Sequence, residues 1–209
     1  MRHLFKNSSS AIQEILLVDG GSTDETLSIA RNYKVTVIHS EKGRSKQLNS
    51  GARKAQGDIL YFLHADTLPP KGFDNSIIEA VENGHPTGCF QMKFDSKSRF
   101  LSFFAWFSRI NHIICRGGDQ SLFIAKKLFE LSGGFNEAYR IYEDSEYIGR
   151  LYKITPFKIL SQYVKTSARR YEERGKLTLQ YHFGVIHLKN YLGAGPEHLY
   201  DYYKRKIIS

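Results

Sequence analysis

A histidine and an aspartate that follow an apolar run form the first pattern that could do chemistry. The run covers residues 59–63, and His64, Ala65 and Asp66 come directly after it. Carboxylate oxygens are the ligands that Mg²⁺ prefers, and an imidazole adds the option of Mn²⁺. The pair could therefore hold a cation on a diphosphate. The structural alternative is that Asp66 caps the next turn and His64 packs in the core.

A glycine-rich segment at residues 18–24 (VDGGSTD) is a second candidate. Gly20 permits close approach of the backbone to a ligand, and Asp19 could accept hydrogen bonds from a base or a ribose. The same residues could equally form a plain strand-to-helix turn. Ser22 and Glu25 have the spacing of a capping box, which predicts a helix that begins at this serine.

Two further candidates lie where helices are predicted to begin. Arg44 precedes a helix N-terminus, where backbone amides favour an anion, and its guanidinium suits a phosphate. Asp144 follows Glu143 and could deprotonate an acceptor hydroxyl. The alternatives are a solvated basic helix start for Arg44 and, for the acidic residues, simple stabilisation of a helix N-terminus by the helix dipole.

The elements that must position these residues begin with three apolar runs, at residues 15–18, 35–38 and 59–63. Each run is continuous rather than alternating, which is typical of parallel strands buried on both faces. Helical patterns lie between the runs, so the front half predicts a β-α-β-α-β order in one doubly wound, mostly parallel α/β sheet. Ligands bind beyond the carboxyl ends of such strands, where Asp19 and Asp66 fall.

The back half of the chain has a less regular pattern. It predicts helices and strands in alternation, with two helices closing the chain around a break at Gly193 and Pro196. The predicted strands cover residues 87–94, 121–125 and 157–166, and the predicted helices include 98–115 and 143–153.

Composition narrows the class of protein. The 209 residues suit one domain, and the net charge of +9 favours an anionic partner. The two cysteines lack CxxC spacing, which gives no zinc site and fits a reducing compartment. The most apolar segment, residues 100–115, is too short and too polar to span a bilayer. No GxGxxG follows the first apolar run, which argues against a dinucleotide-binding oxidoreductase, and no P-loop is present. The Lys and Arg residues are scattered rather than aligned in a stripe, so they do not indicate nucleic-acid binding.

The order of the motifs resembles family-2 glycosyltransferases of the GT-A fold, and in particular a small bacterial arsenosugar-type subgroup. The resemblance covers nearly the whole chain and rests on VDGGSTDET, GRSKQLNSGARKAQGD, HADT, GGDQSLF, GGFNE, EDSEYIGRL and SARRYEERG. It implies a single domain over residues 1–209, with a nucleotide-sugar-binding half at 1–95 and an acceptor-side half at 96–209.

The resemblance also implies a role for each matched residue. Asp144 would be the catalytic base and Asp66 the metal ligand. The residues implied for the nucleotide sugar are Asp19, Gly20, Ser22, Asp24, Arg44, His64 and Ala65. Those implied for the acceptor side or the phosphates are Gly118, Asp119, Gln120, Glu143, Arg169 and Arg170.

The implied reaction is direct displacement at the anomeric carbon, with inversion, from a nucleotide-diphosphate sugar to a hydroxyl. A divalent cation, Mn²⁺ or Mg²⁺, would neutralise the leaving diphosphate. The aromatic segment 100–107 and the Arg169-Arg170 pair hint at a lipid-linked or anionic acceptor. The aromatic segment, together with the surplus of basic residues, also suggests peripheral contact of a cytoplasmic protein with the inner face of a membrane.

The sequence departs from the family pattern at two places. His64 stands where the family usually has the first acid of Asp-x-Asp, which leaves a single carboxylate there. Residues 1–7 match the second half of a helix that normally follows a first strand. We expect a misplaced start, with the strand encoded upstream, and the alternative is a damaged copy; an upstream stop codon would contradict the misplaced start.

Two other classes of function stay open from the sequence. A nucleotidyltransferase of similar fold would carry an N-terminal loop rich in Gly, Arg and Lys, which is not visible, and the Asp144 region argues against it. A non-catalytic protein that binds a nucleotide sugar or a membrane surface is the second. Turnover of a sugar nucleotide would separate the enzyme from such a binder.

Overall fold

The structure is a computed structural model that describes residues 1–208. Its strands are β1 (Leu16–Asp19), β2 (Thr36–His39), β3 (Ile59–Phe62), β4 (Thr67–Leu68), β5 (Thr87–Phe94), β6 (Leu122–Ala125) and β7 (Lys158–Thr166). Its helices are α1 (Arg2–Asn7), α2 (Thr26–Ala30), α3 (Arg44–Lys54), α4 (Phe73–Glu82), α5 (Arg99–Trp106), α6 (Lys126–Leu131), α7 (Glu143–Ile154), α8 (Arg169–Arg174), α9 (Lys176–Tyr191) and α10 (Pro196–Tyr203). No helix among these residues is long and apolar enough to cross a membrane.

The strands form two sheets, which confirms the α/β class and adds detail to the expected pairing. β1 and β2 pair in parallel, as predicted, in a two-stranded sheet. β3 lies instead in a five-stranded sheet of order β3-β6-β5-β7-β4. That sheet is mixed rather than mostly parallel: β5 and β7 are parallel, and the other neighbours are antiparallel. The connection from β5 to β6 returns without crossing the sheet, and such a connection produces an antiparallel pair.

The larger sheet is buried on both faces, which explains its apolar strands. Leu60 and Ile124 face a cluster that includes Tyr147 and Leu151 of α7. The neighbouring Phe123 of β6 faces a second cluster, with α4 and α5. Successive side chains of a strand point to opposite faces, so one continuous apolar run supplies both clusters. A third cluster is formed mainly by the C-terminal helices.

The first predicted helix begins later than the capping box indicated. α2 starts at Thr26, and the backbone amide of Thr26 donates to the Asp24 carboxylate at 3.0 Å. The Ser22 prediction is wrong because the Ser22 amide donates to the carboxylate of Asp19 and belongs to a turn before the helix. The residue that directly precedes α2 is Glu25, which makes no side-chain capping hydrogen bond, and the Asp24 contact belongs to the turn before the helix.

The aromatic segment is also less helical than the prediction of one helix over residues 98–115. α5 ends at Trp106, and short 3₁₀ turns at residues 107–109 and 113–115 continue the chain. The guanidinium of Arg116 donates to the carbonyls of Ser108 at 2.7 Å and of Ile110 at 2.6 Å. In a continuing α-helix those carbonyls would accept from backbone amides four residues later. Here the Arg116 guanidinium donates to them instead.

Helix α3 connects the two halves of the chain through side chains. The Asn49 amide group accepts from the Phe135 amide at 2.9 Å and donates to the Phe135 carbonyl at 2.8 Å. The same amide donates to the Glu137 carboxylate at 2.9 Å, and the Ser45 hydroxyl donates to the Tyr139 carbonyl at 2.7 Å. These contacts hold the segment that leads into α7 against α3.

Candidate functional site

The centre of the candidate site is a histidine–carboxylate pair between the end of β3 and the start of α7. His64 Nε2 lies 3.5 Å from Asp144 Oδ2. Both side chains are nearly buried, with 13% and 12% of their surfaces exposed, so only a small part of the pair is accessible. The end of β3 and the start of α7 thus bring together His64 and Asp144, which lie in separate sequence motifs.

A glycine makes this pair possible. A Cβ atom at Gly118 would lie 2.0 Å from Asp144 Oδ2 and 2.9 Å from His64 Nε2. No side chain other than hydrogen fits at that separation. Gly118 therefore belongs to the site because of its missing side chain, and the neighbouring Gly117 has open space at the same position.

A second pair lies beside the first. Arg44 Nη1 is 3.5 Å from Glu143 Oε1, and Glu143 is almost completely buried while the arginine is half exposed. Within the described residues, the second oxygen of Glu143 has no hydrogen-bond partner. Burial raises the pKa of Glu143 above its ordinary value, and the nearby charge of Asp144 raises it further. The guanidinium of Arg44 is also attracted by the charge of Asp119.

The pKa of His64 reflects opposing effects. Burial alone would lower it, but the hydrogen bond and the charge of Asp144 raise the pKa of His64 above its usual value, against a smaller opposing effect of Arg44. A raised imidazole pKa favours the protonated ring beside a carboxylate. The contact with His64 can therefore fix the orientation of the Asp144 carboxylate.

The turn after β1 presents a carboxylate of a different kind. Asp19 is buried, and its oxygens accept from the amides of Gly21 and Ser22, each at 3.1 Å. Hydrogen bonding from Ser22 is the main cause of a lowered pKa of Asp19. Gly20 packs against Gln47, whose side-chain amide donates to the Val18 carbonyl at 2.9 Å. Sequence reasoning missed Gln47, although its position one helical turn into α3 could have indicated it.

The GGDQ motif is divided between the site and the core. Asp119 lies within the electrostatic field of His64 and Asp66, on the exposed side of the site. Gln120 points the other way: it is buried, accepts from the Arg116 guanidinium and donates to the Cys115 carbonyl. The side chain of Gln120 thus supports the site from within.

Asp66, Arg169 and Arg170 lie at one edge of the site. The amide of Ser167 donates to the Asp66 carbonyl at 3.2 Å, so the strand that leads into α8 runs beside Asp66. Both arginines are exposed, and Arg169 Nε lies 3.8 Å from a Glu173 oxygen. The side chains of Asp66 and Ala65 are exposed as well.

The residues fit a divalent cation only if a substrate completes its coordination. Within residues 1–208, no group of three or more His, Cys, Asp or Glu side chains could hold a metal ion. Burial is the main cause of a raised pKa of Asp119, and the charge of Asp66 raises this pKa further, so the two carboxylates interact electrostatically. Mg²⁺ is commonly held by one or two carboxylates together with water and substrate phosphates. The carboxylates of Asp66 and Asp119 suit that arrangement, and they do not suit a site in which protein side chains supply every ligand.

The fold and the placement of carboxylates after β1 and β3 define the class as the GT-A fold of nucleotide-diphosphate-sugar transferases. A family model described as glycosyl transferase family 2 matches residues 3–135, which is more than half of the chain. The protein belongs to this family.

Individual relatives agree with that assignment. The chain is 26% identical over 179 residues to a PGL/p-HBAD biosynthesis glycosyltransferase of Mycobacterium tuberculosis, covering 79% of this chain and 67% of the relative. It is 34% identical over 76 residues to the uncharacterized glycosyltransferase YfnE of Bacillus subtilis, covering 34% of this chain and 19% of YfnE.

Solved structures support the fold. S. aureus TarS 1-349 in complex with UDP superimposes with a TM-score of 0.60 at 20% identity, over 74% of this chain and 51% of TarS. The chain thus spans about half of that structure. The same S. aureus fragment has also been solved with UDP-GlcNAc, with a TM-score of 0.58 at 20% identity, over 74% of this chain and 49% of that one.

Proposed function

We propose that this protein transfers a sugar from a nucleotide-diphosphate donor to an acceptor hydroxyl, with inversion at the anomeric carbon. The observation that carries the proposal is the nearly buried Asp144 carboxylate, 3.5 Å from His64 at the carboxyl end of β3. A carboxylate that is fixed in orientation and still partly exposed suits a general base. The family assignment supplies the type of reaction.

In the proposed step, the anomeric carbon forms one bond and loses another. The acceptor oxygen attacks the anomeric carbon while the bond from that carbon to the diphosphate breaks. Asp144 takes the proton of the attacking hydroxyl. Arg44, held by the buried Glu143, stabilises negative charge on the departing diphosphate, because a fixed cation in a partly desolvated site costs little reorganisation.

The donor side is assigned to the turn after β1. Asp19 is held in one orientation by the amides of Gly21 and Ser22, which leaves its position suitable for contact with a base or ribose. Arg169 and Arg170 are exposed beside Asp66 and would approach the diphosphate or an anionic acceptor. UDP is the first nucleotide to test, since S. aureus TarS has been solved with UDP.

Asp66 is the proposed protein ligand of a divalent cation, Mn²⁺ or Mg²⁺, with Asp119 nearby. When bound, the ion would neutralise charge on the diphosphate. Asp66 would fix the position of the ion.

The first experiment is a thermal-shift screen with UDP, GDP, CDP and dTDP, each with and without Mn²⁺, followed by turnover of the matching nucleotide sugar. A ligand that binds the folded state raises the melting temperature. We expect a metal-dependent shift for one nucleotide that is lost in Asp66→Asn. Asp58→Asn, at the opposite end of β3, is the matched control and should keep the shift.

The second part of the experiment tests the base. Asp144→Asn should retain the nucleotide shift and lose turnover by about 10²–10⁴-fold, the usual contribution of general-base catalysis. Binding with no turnover in the parent protein, across the four donors with simple sugar acceptors and water, would instead favour a non-catalytic nucleotide-sugar binder.

A further inference from the structure

An exposed apolar surface, which we call the aromatic face, lies on α5 and the turns that follow it. Phe103 is 58% exposed, Trp106 50% and Ile114 74%, and Ile110 and Ile113 are exposed as well. Isolated apolar side chains on a surface are ordinary, but several together mark an interaction site. Phe103 and Trp106 lie on one side of the helix, one turn apart.

Basic side chains flank the aromatic face along the chain. Arg99 lies one turn before Phe103 on α5, and Lys97 and Arg109 are exposed at either end of the helix. Residues 96–118 contain no aspartate or glutamate. A helix with aromatic side chains on one side and flanking basic residues is the pattern of a segment that lies in the interface of an anionic membrane.

We propose that the aromatic face docks this protein onto an anionic lipid bilayer. Charge complementarity decides between a bilayer and a second copy of the chain. The net charge is +9, and the cations around the aromatic face would meet their own copies in a symmetric dimer. Anionic headgroups would instead attract them, and each Lys or Arg near such a surface adds to the binding.

The aromatic face is fixed in relation to the candidate site. The buried guanidinium of Arg116 holds the carbonyls of Ser108 and Ile110, and it also donates to Gln120. Gln120 lies two residues from Gly118, which touches the His64–Asp144 pair. Hydrogen bonds of Arg116 therefore connect the backbone of the aromatic face to the motif that contains Gly118.

An open groove of about 670 Å³ has Phe100 of α5 in its lining. The lining is mostly apolar and includes Tyr171 and Leu177, with Glu172 and Lys176 as its charged residues. The groove adjoins the helix that carries Phe103 and Trp106, so lipid chains at the docked surface would lie next to it.

Trp106 makes the proposal directly testable, because it is the only tryptophan of the chain. The full-length protein would be titrated with phosphatidylcholine vesicles and with vesicles of phosphatidylcholine and phosphatidylglycerol in equal parts. We expect a blue shift of Trp106 emission, quenching by brominated lipid chains and co-sedimentation with the anionic vesicles only. Salt should weaken binding, since the interaction is partly between exposed charges.

Three variants sharpen the test. Phe103→Ser should weaken partitioning by about tenfold, the effect of removing one large apolar contact, and Arg99→Gln with Arg109→Gln should weaken it by about tenfold or more. Leu131→Ser changes another exposed apolar residue, on α6 outside the aromatic face, and should leave binding unchanged. Circular dichroism would verify that each variant is folded.

Several outcomes would overturn the proposal. Folded protein that neither sediments with the anionic vesicles nor changes its Trp106 emission does not dock through this face. A blue shift that grows with protein concentration in the absence of vesicles would make the aromatic face a contact between copies. Equal losses in Phe103→Ser and Leu131→Ser would mean that binding is non-specific. None of these readouts depends on sugar transfer.

Discussion

The turn after β1 and the pair at the end of β3 both present buried carboxylates, but they hold them by different means. Asp19 is satisfied by backbone amides within three residues of itself, and its pKa is lowered. Asp144 depends on His64 and on the space left by Gly118, which come from distant parts of the chain. The first arrangement is local and self-contained, whereas the second exists only when the sheet and α7 are assembled.

This difference suggests a division of labour. A carboxylate that is fixed by its own turn can recognise a ligand without much adjustment of the rest of the molecule. A carboxylate whose position depends on several elements is sensitive to small displacements, as expected of a group that takes part in chemistry. Substitutions at the two places should therefore affect different measurements.

The largest expected effect follows from filling the space beside Asp144. In Gly118→Ala the new methyl group would displace the carboxylate, and a shift of about 1 Å can lower turnover by about a hundredfold. Gly117→Ala, with nothing within 4 Å of its added methyl group, should be nearly neutral. Steady-state turnover and nucleotide affinity of both variants would be compared. Equal activity of the two would show that the pair is not part of the catalytic site.

A smaller effect is expected at the turn after β1. Asp19→Asn removes the charge, and we expect about a tenfold loss of nucleotide affinity by calorimetry with turnover at saturating donor nearly unchanged, since a hydrogen bond to a charged group contributes about 1.5 kcal/mol or more. Asp24→Ala is the comparison, because the Asp24 carboxylate accepts from the Thr26 amide in the turn that leads into α2. It should lower the melting temperature without a matching loss of affinity. If Asp24→Ala lost more nucleotide affinity than Asp19→Asn, Asp24 rather than Asp19 would be the residue that contacts the nucleotide.

The smallest effect concerns stability and pH. Because burial raises the pKa of Glu143 in the folded chain, the native state retains this proton over a pH range in which the unfolded chain has lost it. The stability from the protonated form is full below the unfolded pKa and is lost as pH rises through the folded pKa. Glu143→Gln stays neutral, so its melting temperature at pH 7.5 should exceed that of the parent by about 2–4 °C.

Differential scanning fluorimetry at pH 4.5 and pH 7.5 would check this sign. At the lower pH, the two proteins should differ less. Glu146→Gln is a suitable control, because Glu146 accepts from Arg150 at 2.7 Å and its loss should destabilise the protein at both pH values. A parent that is more stable than Glu143→Gln at pH 7.5 would mean that the Arg44 contact outweighs burial.

Local patterns predicted much of the fold. The apolar runs became β1, β2 and β3, and the predicted strand over residues 87–94 is β5. The pairing of β3 with β6 was not visible, because antiparallel and parallel strands buried on both faces have similar sequences. The start of α2 was misplaced because Asp19, three residues before Ser22, accepts from the Ser22 amide and holds Ser22 in a turn before the helix.

Most residues of the candidate site were predicted, but their arrangement was not. The resemblance named Asp144, His64 and Gly118 separately, but the distances among them depend on how β3, α7 and a 3₁₀ turn pack. The side-chain direction of Gln120 was equally hidden, since a motif carries no information about which of its members turns toward Arg116. Residue identity is thus readable along the chain, whereas mutual placement requires long-range contacts.

The hydrogen bonds of Asn49 have a consequence for the evolution of this chain. Surface loops usually tolerate insertions and deletions. The segment that includes Phe135 and Glu137 differs, because the Asn49 side chain of α3 forms hydrogen bonds with the backbone of Phe135 and with the Glu137 carboxylate. A single added residue would move the amide and carbonyl of Phe135 out of register with that side chain. In homologous chains the length of this loop should therefore stay constant while its exposed side chains vary, and a change at position 49 should be accompanied by compensating change at position 137.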